Sequence, residues 1–413
     1  MRAVARGYVL GALLVGFGAV GCGAAAENTE ESVESDLKKP SVAWKAPLPD
    51  KRCDWSAAER RLKVGADGTV YVGQREWLTA YTPGGTLKWS TQADGPIGAI
   101  LVGGAEVYAI AGGPTYRALN AFDRTTGLKS VLYLERPVPY APYSSGTFTV
   151  LRDRSDGRIE LGPSEGDGFV FDPVTRVVSR AGRVDGVQLA GGAHAVVGRS
   201  GGPGYSLDKL DATGALLWRT STSMQALGAS SPTGTLYALD YGAEPSYVGE
   251  LVGIDAGSGV VKWRSGHTYN TRSYYGQNLV LADGSLVLVH AAKAGPDRSV
   301  ATLERRSASG ALVFEATIPS TFSEPNAPRK TYALAAKGST VYVSGDRLLR
   351  AYNGTGGVAW DMSNDPSGPL EPFFPGAMVV GSGRTIYGVR APWQFDSQPQ
   401  NPACTAGELM KLR

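Results

Sequence analysis

Apolar and polar residues alternate along this chain in short stretches punctuated by turn residues. In DGTVYVG (67–73) Val70 and Val72 fall on one face, and in GTLYALD (234–240) Leu236 and Ala238 do. A period of two over four to eight residues predicts a strand with at least one buried face. A second alternation follows, then a Gly-rich turn, then a third alternation that ends in a large aromatic residue. LTAYTPGGTLKW (78–89), LVGIDAGSGVVKW (251–263) and LLRAYNGTGGVAW (348–360) are the clearest copies. Turns such as Pro83-Gly84-Gly85 and Asp255-Ala256-Gly257 supply the positive-φ positions of a tight hairpin.

Further copies are LDKLDATGALLW (207–218) and DGSLVLVH (283–290) with ATLERRSASGALVF (301–314). ALNAFDRTTGLKSV (118–131) and GFVFDPVTRVVS (168–179) are worn. Aligned on the turn, the repeat falls at Gly85, Gly127, Thr175, Gly214, Gly259, Gly310 and Gly356. Four residues later stand Trp89, Val131, Ser179, Trp218, Trp263, Phe314 and Trp360. A period of roughly 40–50 residues built from short strands predicts a β-propeller. Seven units are complete. An eighth is split: GRTIYGVR (383–390) and GELMKLR (407–413) lack a Trp strand, and Ser41-Val42-Ala43-Trp44-Lys45 at the other end supplies one. The expected fold is all-β, an eight-bladed propeller over residues 41–413 whose last blade is completed by an N-terminal strand. Closure of the ring removes open sheet edges.

Composition agrees. With 55 Gly and 25 Pro among 413 residues a mainly helical fold is excluded. Apolar residues at 42% and charged residues at 19% set the chain apart from disordered sequences. A formal net charge of +3 does not suit a nucleic-acid binder.

The N-terminus reads as a targeting segment. Arg2 and Arg6 precede an apolar run from Gly7 to Val20, short for a bilayer span and well sized for a signal peptide at residues 1–21. Small residues at Ala19-Val20-Gly21 precede Cys22, the expected lipid attachment site, with ordinary cleavage after Ala24-Ala25-Ala26 as the alternative. Residues 22–40, rich in Glu and poor in apolar residues, form an acidic tether. Export places Cys53 and Cys404 in an oxidising compartment. The split blade brings their segments together, so a disulfide between them is expected.

The pattern Asp211-Ala212-Thr213-Gly214-Ala215-Leu216-Leu217-Trp218 resembles the repeat of quinoprotein (PQQ-like) propellers. With the Ala19–Cys22 motif, the chain is similar to the BamB-type lipoproteins of the outer-membrane β-barrel assembly machinery. The resemblance implies a non-catalytic, lipid-anchored envelope scaffold, in the outer membrane by virtue of Gly23 after the Cys. Quinoprotein dehydrogenases carry adjacent cysteines against the cofactor, and no two Cys are adjacent here. No PQQ or other cofactor and no enzymatic activity are therefore expected. Gly198-Arg199-Ser200-Gly201-Gly202 matches a nucleophile elbow in letters, but it stands between two strands where a hydrolase needs a strand-to-helix turn. His194, His267 and His290 lack metal-ligand spacing, and no metal is expected.

Loop length separates two faces. The first turn of each unit and the Gly turn are tight and share one face, and the long connections share the other. These hold the candidate partner- or ligand-binding residues Tyr140, Tyr143, Tyr205, Tyr241 and Tyr247, and with them Tyr269, Arg272, Tyr274 and Trp393. Tyr, Trp and Arg dominate binding hot spots. The expected partners are other envelope proteins, met by a monomeric scaffold. The alternative is a small-molecule or glycan binder using the propeller channel or aromatic rim, and after that a degenerate quinoprotein-type enzyme.

Overall fold

The computed structural model describes residues 38–48, 61–113, 116–135, 148–154, 156–163, 167–184, 186–199, 205–221, 223–230, 232–242, 248–270, 274–295, 298–319, 332–345, 348–363, 378–390 and 408–413. Cys22, the expected lipid attachment site, and the cysteines Cys53 and Cys404 lie outside them, as do Tyr140, Tyr143, Tyr247, Arg272 and Trp393.

Eight four-stranded antiparallel sheets follow one another as the blades of a ring. The N-terminal strand β1 (Val42–Pro47) belongs to the last of them. Blade 1 runs from the inner strand β2 (Leu62–Val64) through β3 (Val70–Gln74) and β4 (Trp77–Tyr81) to the outer β5 (Leu87–Gln92). Blade 2 contains β6 (Ile97–Val102), β7 (Glu106–Gly113), β8 (Tyr116–Asp123) and β9 (Lys129–Glu135). Blade 3 is β10 (Phe148–Asp153), β11 (Ile159–Pro163), β12 (Asp167–Asp172) and β13 (Val177–Arg183). In blade 4 the inner strand β14 (Val187–Gln188) is two residues long, followed by β15 (His194–Arg199), β16 (Tyr205–Leu210) and β17 (Leu216–Arg219). Blade 5 has β18 (Met224–Ser230), β19 (Thr235–Asp240), β20 (Val248–Asp255) and β21 (Val261–Asn270). Next come β22 (Tyr274–Val280), β23 (Leu286–Gly295), β24 (Arg298–Arg306) and β25 (Leu312–Ile318) as blade 6. Blade 7 comprises β26 (Ala333–Lys337), β27 (Thr340–Gly345), β28 (Leu348–Tyr352) and β29 (Val358–Ser363). Blade 8 has β30 (Met378–Val380), β31 (Ile386–Arg390) and β32 (Glu408–Leu412), with β1 on its outer edge.

The eight-bladed ring and its split closure are therefore as the repeats predict. Strand β1 pairs antiparallel with β32, with Trp44 opposite Lys411. Backbone bonds of 2.9 and 3.0 Å join Ser41 to Arg413.

The repeat has a mechanical reading. Alternate residues of each second strand face the two neighbouring blades. Val70 and Val72 pack toward blade 8, whereas Tyr71 packs toward blade 2. Tyr71, Tyr237 and Tyr342 each lean on the outer-strand indole of their own blade, at 5.9, 6.0 and 6.0 Å between rings. The outer-strand ring in turn covers the turn glycine of the next blade. A Cβ on Gly85, Gly127, Gly259, Gly310 or Gly356 would stand 2.5–2.8 Å from Trp44, Trp89, Trp218, Trp263 or Phe314 respectively. These glycines have φ of 73–88°, so glycine is required there both for conformation and for space. The indole N–H completes the joint. Trp44, Trp89 and Trp263 donate to Pro83 O, Arg124 O and Ala308 O at 3.0, 3.1 and 3.0 Å.

Blade 3 departs from the sequence alignment. Its turn residue is Arg176 rather than Thr175. The Arg176 N–H donates to Asp172 O at 2.8 Å, as Gly127 does to Asp123 O, and its φ is 57°. Ser179, opposite Val170, nevertheless takes the face toward the next blade that Trp89 takes opposite Ala80, and Arg180, opposite Phe169, turns toward blade 2. The sequence offers no glycine to mark the turn, which lies one residue later than the alignment places it.

Candidate functional site

The longest connections follow the fourth strand of blades 2, 6, 7 and 8 and the second strand of blade 8, whereas in blade 1 the connections after the second and fourth strands are both short. Strands reach further into them than the sequence suggests. Tyr205 opens β16, Tyr274 opens β22 and Tyr269 is in β21, so these three stand in strands. The described candidates are spread over blades 4, 5 and 6, with Tyr241 and Tyr269 on blade 5. Tyr241 follows β19, is half-buried, and donates from its hydroxyl to Gln225 Oε1 at 2.8 Å. Burial pushes the Tyr241 phenol up to about 12, so it stays protonated and donating.

Tyr269 is buried. Its ring packs with Leu227, Tyr237, Leu239, Leu251, Leu286 and Leu288 between blades 5 and 6. Its hydroxyl donates to Glu304, 2.8 Å from Oε1 and 3.0 Å from Oε2. Glu304 is also met by His290 Nε2 at 3.2 Å and by the Arg306 guanidinium. Arg306 donates onward to Gly310 O at 3.0 Å. Outside this nest, the exposed His267 stands edge-on to Tyr269 with ring centroids 5.0 Å apart, and Tyr269 is edge-on to His290 at 5.1 Å. A line of rings thus leads from solvent to a buried carboxylate.

Electrostatics define what this nest can do. Burial alone would push the Glu304 carboxyl up, but the His290 ring beside it, the Tyr269 hydrogen bond and the Arg306 charge outweigh it and hold it below the usual carboxylate range. Burial, then the Glu304 charge, pushes the Tyr269 phenol well up. The result is a fixed anion among donors, an arrangement that anchors β21 to blade 6. Sequence reading takes Tyr269 for a rim residue; the signal for its inward role is the charged Glu304 and Arg306 in an otherwise alternating strand.

Other charges are likewise spent between strands. Asp208 holds Arg219, and Arg264 spans Asp240 and Glu250. Among the described residues no group of three or more His, Cys, Asp and Glu could hold a metal ion. Gly198 and Arg199 end β15 opposite Ser206 and Tyr205, so the Gly-x-Ser-x-Gly string does connect two paired strands; Ser200 itself lies outside the described residues. Large exposed apolar residues sit on outer strands and their turns: Leu216, Leu217 and Val260 on blades 4 and 5, and Leu312, Val313 and Val358 on blades 6 and 7.

Residues 30–193 match the family model described as Outer membrane protein assembly factor BamB. No curated protein gives a match. Among solved structures, BamB from Moraxella catarrhalis is 14% identical with a TM-score of 0.55, over 91% of this chain and 100% of that one. Sqt1 from Saccharomyces cerevisiae is 8% identical with a TM-score of 0.54, over 90% and 99% of the two chains. At these identities the structural likeness shows the fold. Together with the family model it agrees with the resemblance carried by the repeats: the chain is an eight-bladed propeller similar to BamB.

Proposed function

We propose that this PQQ-like propeller is a non-catalytic envelope lipoprotein that serves as a protein-interaction scaffold, similar in role to BamB. The observation that carries the reading is the match of residues 30–193 to the BamB family on a chain folded into eight blades. The leader supports an envelope location, with Cys22 as the acylated residue and Gly23 directing the anchor to the outer membrane. The buried carboxylates Glu160 and Glu304 support a non-catalytic reading, because their oxygens face Arg and His side chains of the protein itself. Partners meet the long-connection face, where Tyr140, Tyr143, Tyr247, Arg272 and Trp393 fall.

The test is site-specific photocrosslinking in native membranes. Probes at 140, 247, 272 and 393 are expected to capture envelope proteins, whereas probes at Thr86 and Ser258, on the tight turns, are not. Crosslinks confined to the tight-turn positions would overturn the assignment of the face. Release of Cys22→Ser protein from the membrane fraction checks the anchor, and retention of that variant would remove it from the reading.

A further inference from the structure

Seven seams of the ring are closed by an apolar cluster that spans two blades. Among the described residues the seam between blades 3 and 4 has none. Val170, Val184 and Val196 are buried there but belong to no cluster.

The repeat explains why. The first inward position of the second strand is Val70, Val107, Ile159, Leu236, Leu286, Val341 and Ile386 in seven blades, and His194 in blade 4. The next position, which faces the following blade, is Tyr71, Tyr108, Tyr237, Tyr342 and Tyr387 in five blades, Val287 and Ala195 in two, and Glu160 in blade 3. The two polar exceptions face each other. Glu160 Oε2 lies 2.9 Å from His194 Nε2 across the seam. Arg152 Nε donates to the same oxygen at 2.8 Å, and Arg154 Nη1 stands 3.4 Å from Oε1 while its Nη2 meets Asp156 at 3.2 Å. All of Glu160, His194 and Arg154 are buried.

The rest of this seam is also distinct. Ser179 stands on the face where five other blades carry an indole, and the turn glycine Gly214 meets only the backbone of Gly182. The inner strand β14 spans two residues. Arg152 additionally donates to Val184 O and Gly186 O, at 2.7 and 2.9 Å, and so holds the segment that links the two blades.

We infer that the ring parts first between blades 3 and 4, and that Glu160, gripped by Arg152 and Arg154 of its own blade and by His194 of the next, is the latch that keeps this seam shut. Apolar seams gain from every side chain they bury. Here the cost of desolvating four ionisable groups offsets most of the attraction between them, so the seam is weakly held and yet depends strongly on each member being present. Opening there divides the ring at a single covalent link while β1 keeps blade 8 closed.

Native-state hydrogen exchange with mass spectrometry, on the full chain in sub-denaturing guanidinium, tests this. The second strands β11 and β15 are expected to exchange at least about tenfold faster than their equivalents β3, β19 and β27, and Glu160→Gln to speed β11 and β15 by about a further tenfold while leaving the other three unchanged. Exchange of β11 and β15 no faster than β3, β19 and β27 in the parent protein would overturn the inference. Equal acceleration of all five strands by Glu160→Gln would do the same. The parent measurement stands even where the variant fails to fold.

Discussion

The joint between Trp89 and Gly127 allows the repeat to be tested as a coupled pair. Trp89 is 8% exposed, stacks 6.3 Å from Phe122, and donates from its indole to Arg124 O in the next blade. Removing an indole from such a site costs about 3–5 kcal/mol, so Trp89→Ala is expected near 4 kcal/mol. Gly127→Ala carries two penalties. Its φ of 73° costs an alanine roughly 1–2 kcal/mol. Its new methyl would stand 2.6 Å from Trp89 Cδ2, an overpacking worth about 1–3 kcal/mol. The second penalty vanishes once the indole is gone, and the first does not. The double variant should therefore be less destabilised than the sum of the singles by about 2 kcal/mol. Guanidinium denaturation of the four proteins of the cycle, followed by far-ultraviolet circular dichroism, measures this. Additivity within about 0.5 kcal/mol would refute the claim that ring and glycine compete for one space.

Three further outcomes are expected. Glu304, held below the usual carboxylate range, stabilises the fold above its unfolded value near about 4.3, and this stabilisation is lost as pH falls through the lower folded value. Glu304→Gln should therefore cost about 3 kcal/mol at pH 7 and flatten the acid limb of a stability–pH profile; an unchanged limb would count against it. Deleting residues 42–47 exposes the edge of β32, and light scattering should show association that the parent lacks. Cys53 and Cys404 are expected to form a disulfide across the closing blade, so denatured, unreduced protein should titrate neither of them, and two free thiols would exclude the bond.

The ring was legible from residues 41–413 because each blade repeats the same mechanical parts, and Trp44 could be assigned to blade 8 by its likeness to Trp89, Trp218 and Trp263. The turn of blade 3 was placed one residue early because Arg176, in a conformation glycine normally takes, hides it. The nests around Glu160 and Glu304 were missed for a different reason. His194 and His290 were weighed only as metal ligands, whereas their positions within the repeat mark them as seam residues. Tyr269 was read from its place beside a long connection, but β21 continues to Asn270 and turns the ring inward. Spacing reveals which residues recur; which neighbour a side chain faces depends on where the strand ends.

The pairing of β1 with β32 also sets a timetable. Strand β1 is among the first parts of the ring to be synthesised, and its partner is the last. About 365 residues separate them, which at roughly 5–20 residues per second is some 20–70 s of waiting. Through that interval the exposed Val42 and the half-buried Trp44 have no sheet to join, and Gly85 in blade 1 has no indole to cover it. A chain that ends early at any point therefore leaves the same two surfaces bare. Only the five-residue strand β32 converts a row of blades into a closed circle, so burial of Trp44 and Gly85 reports that the chain has been made through β32.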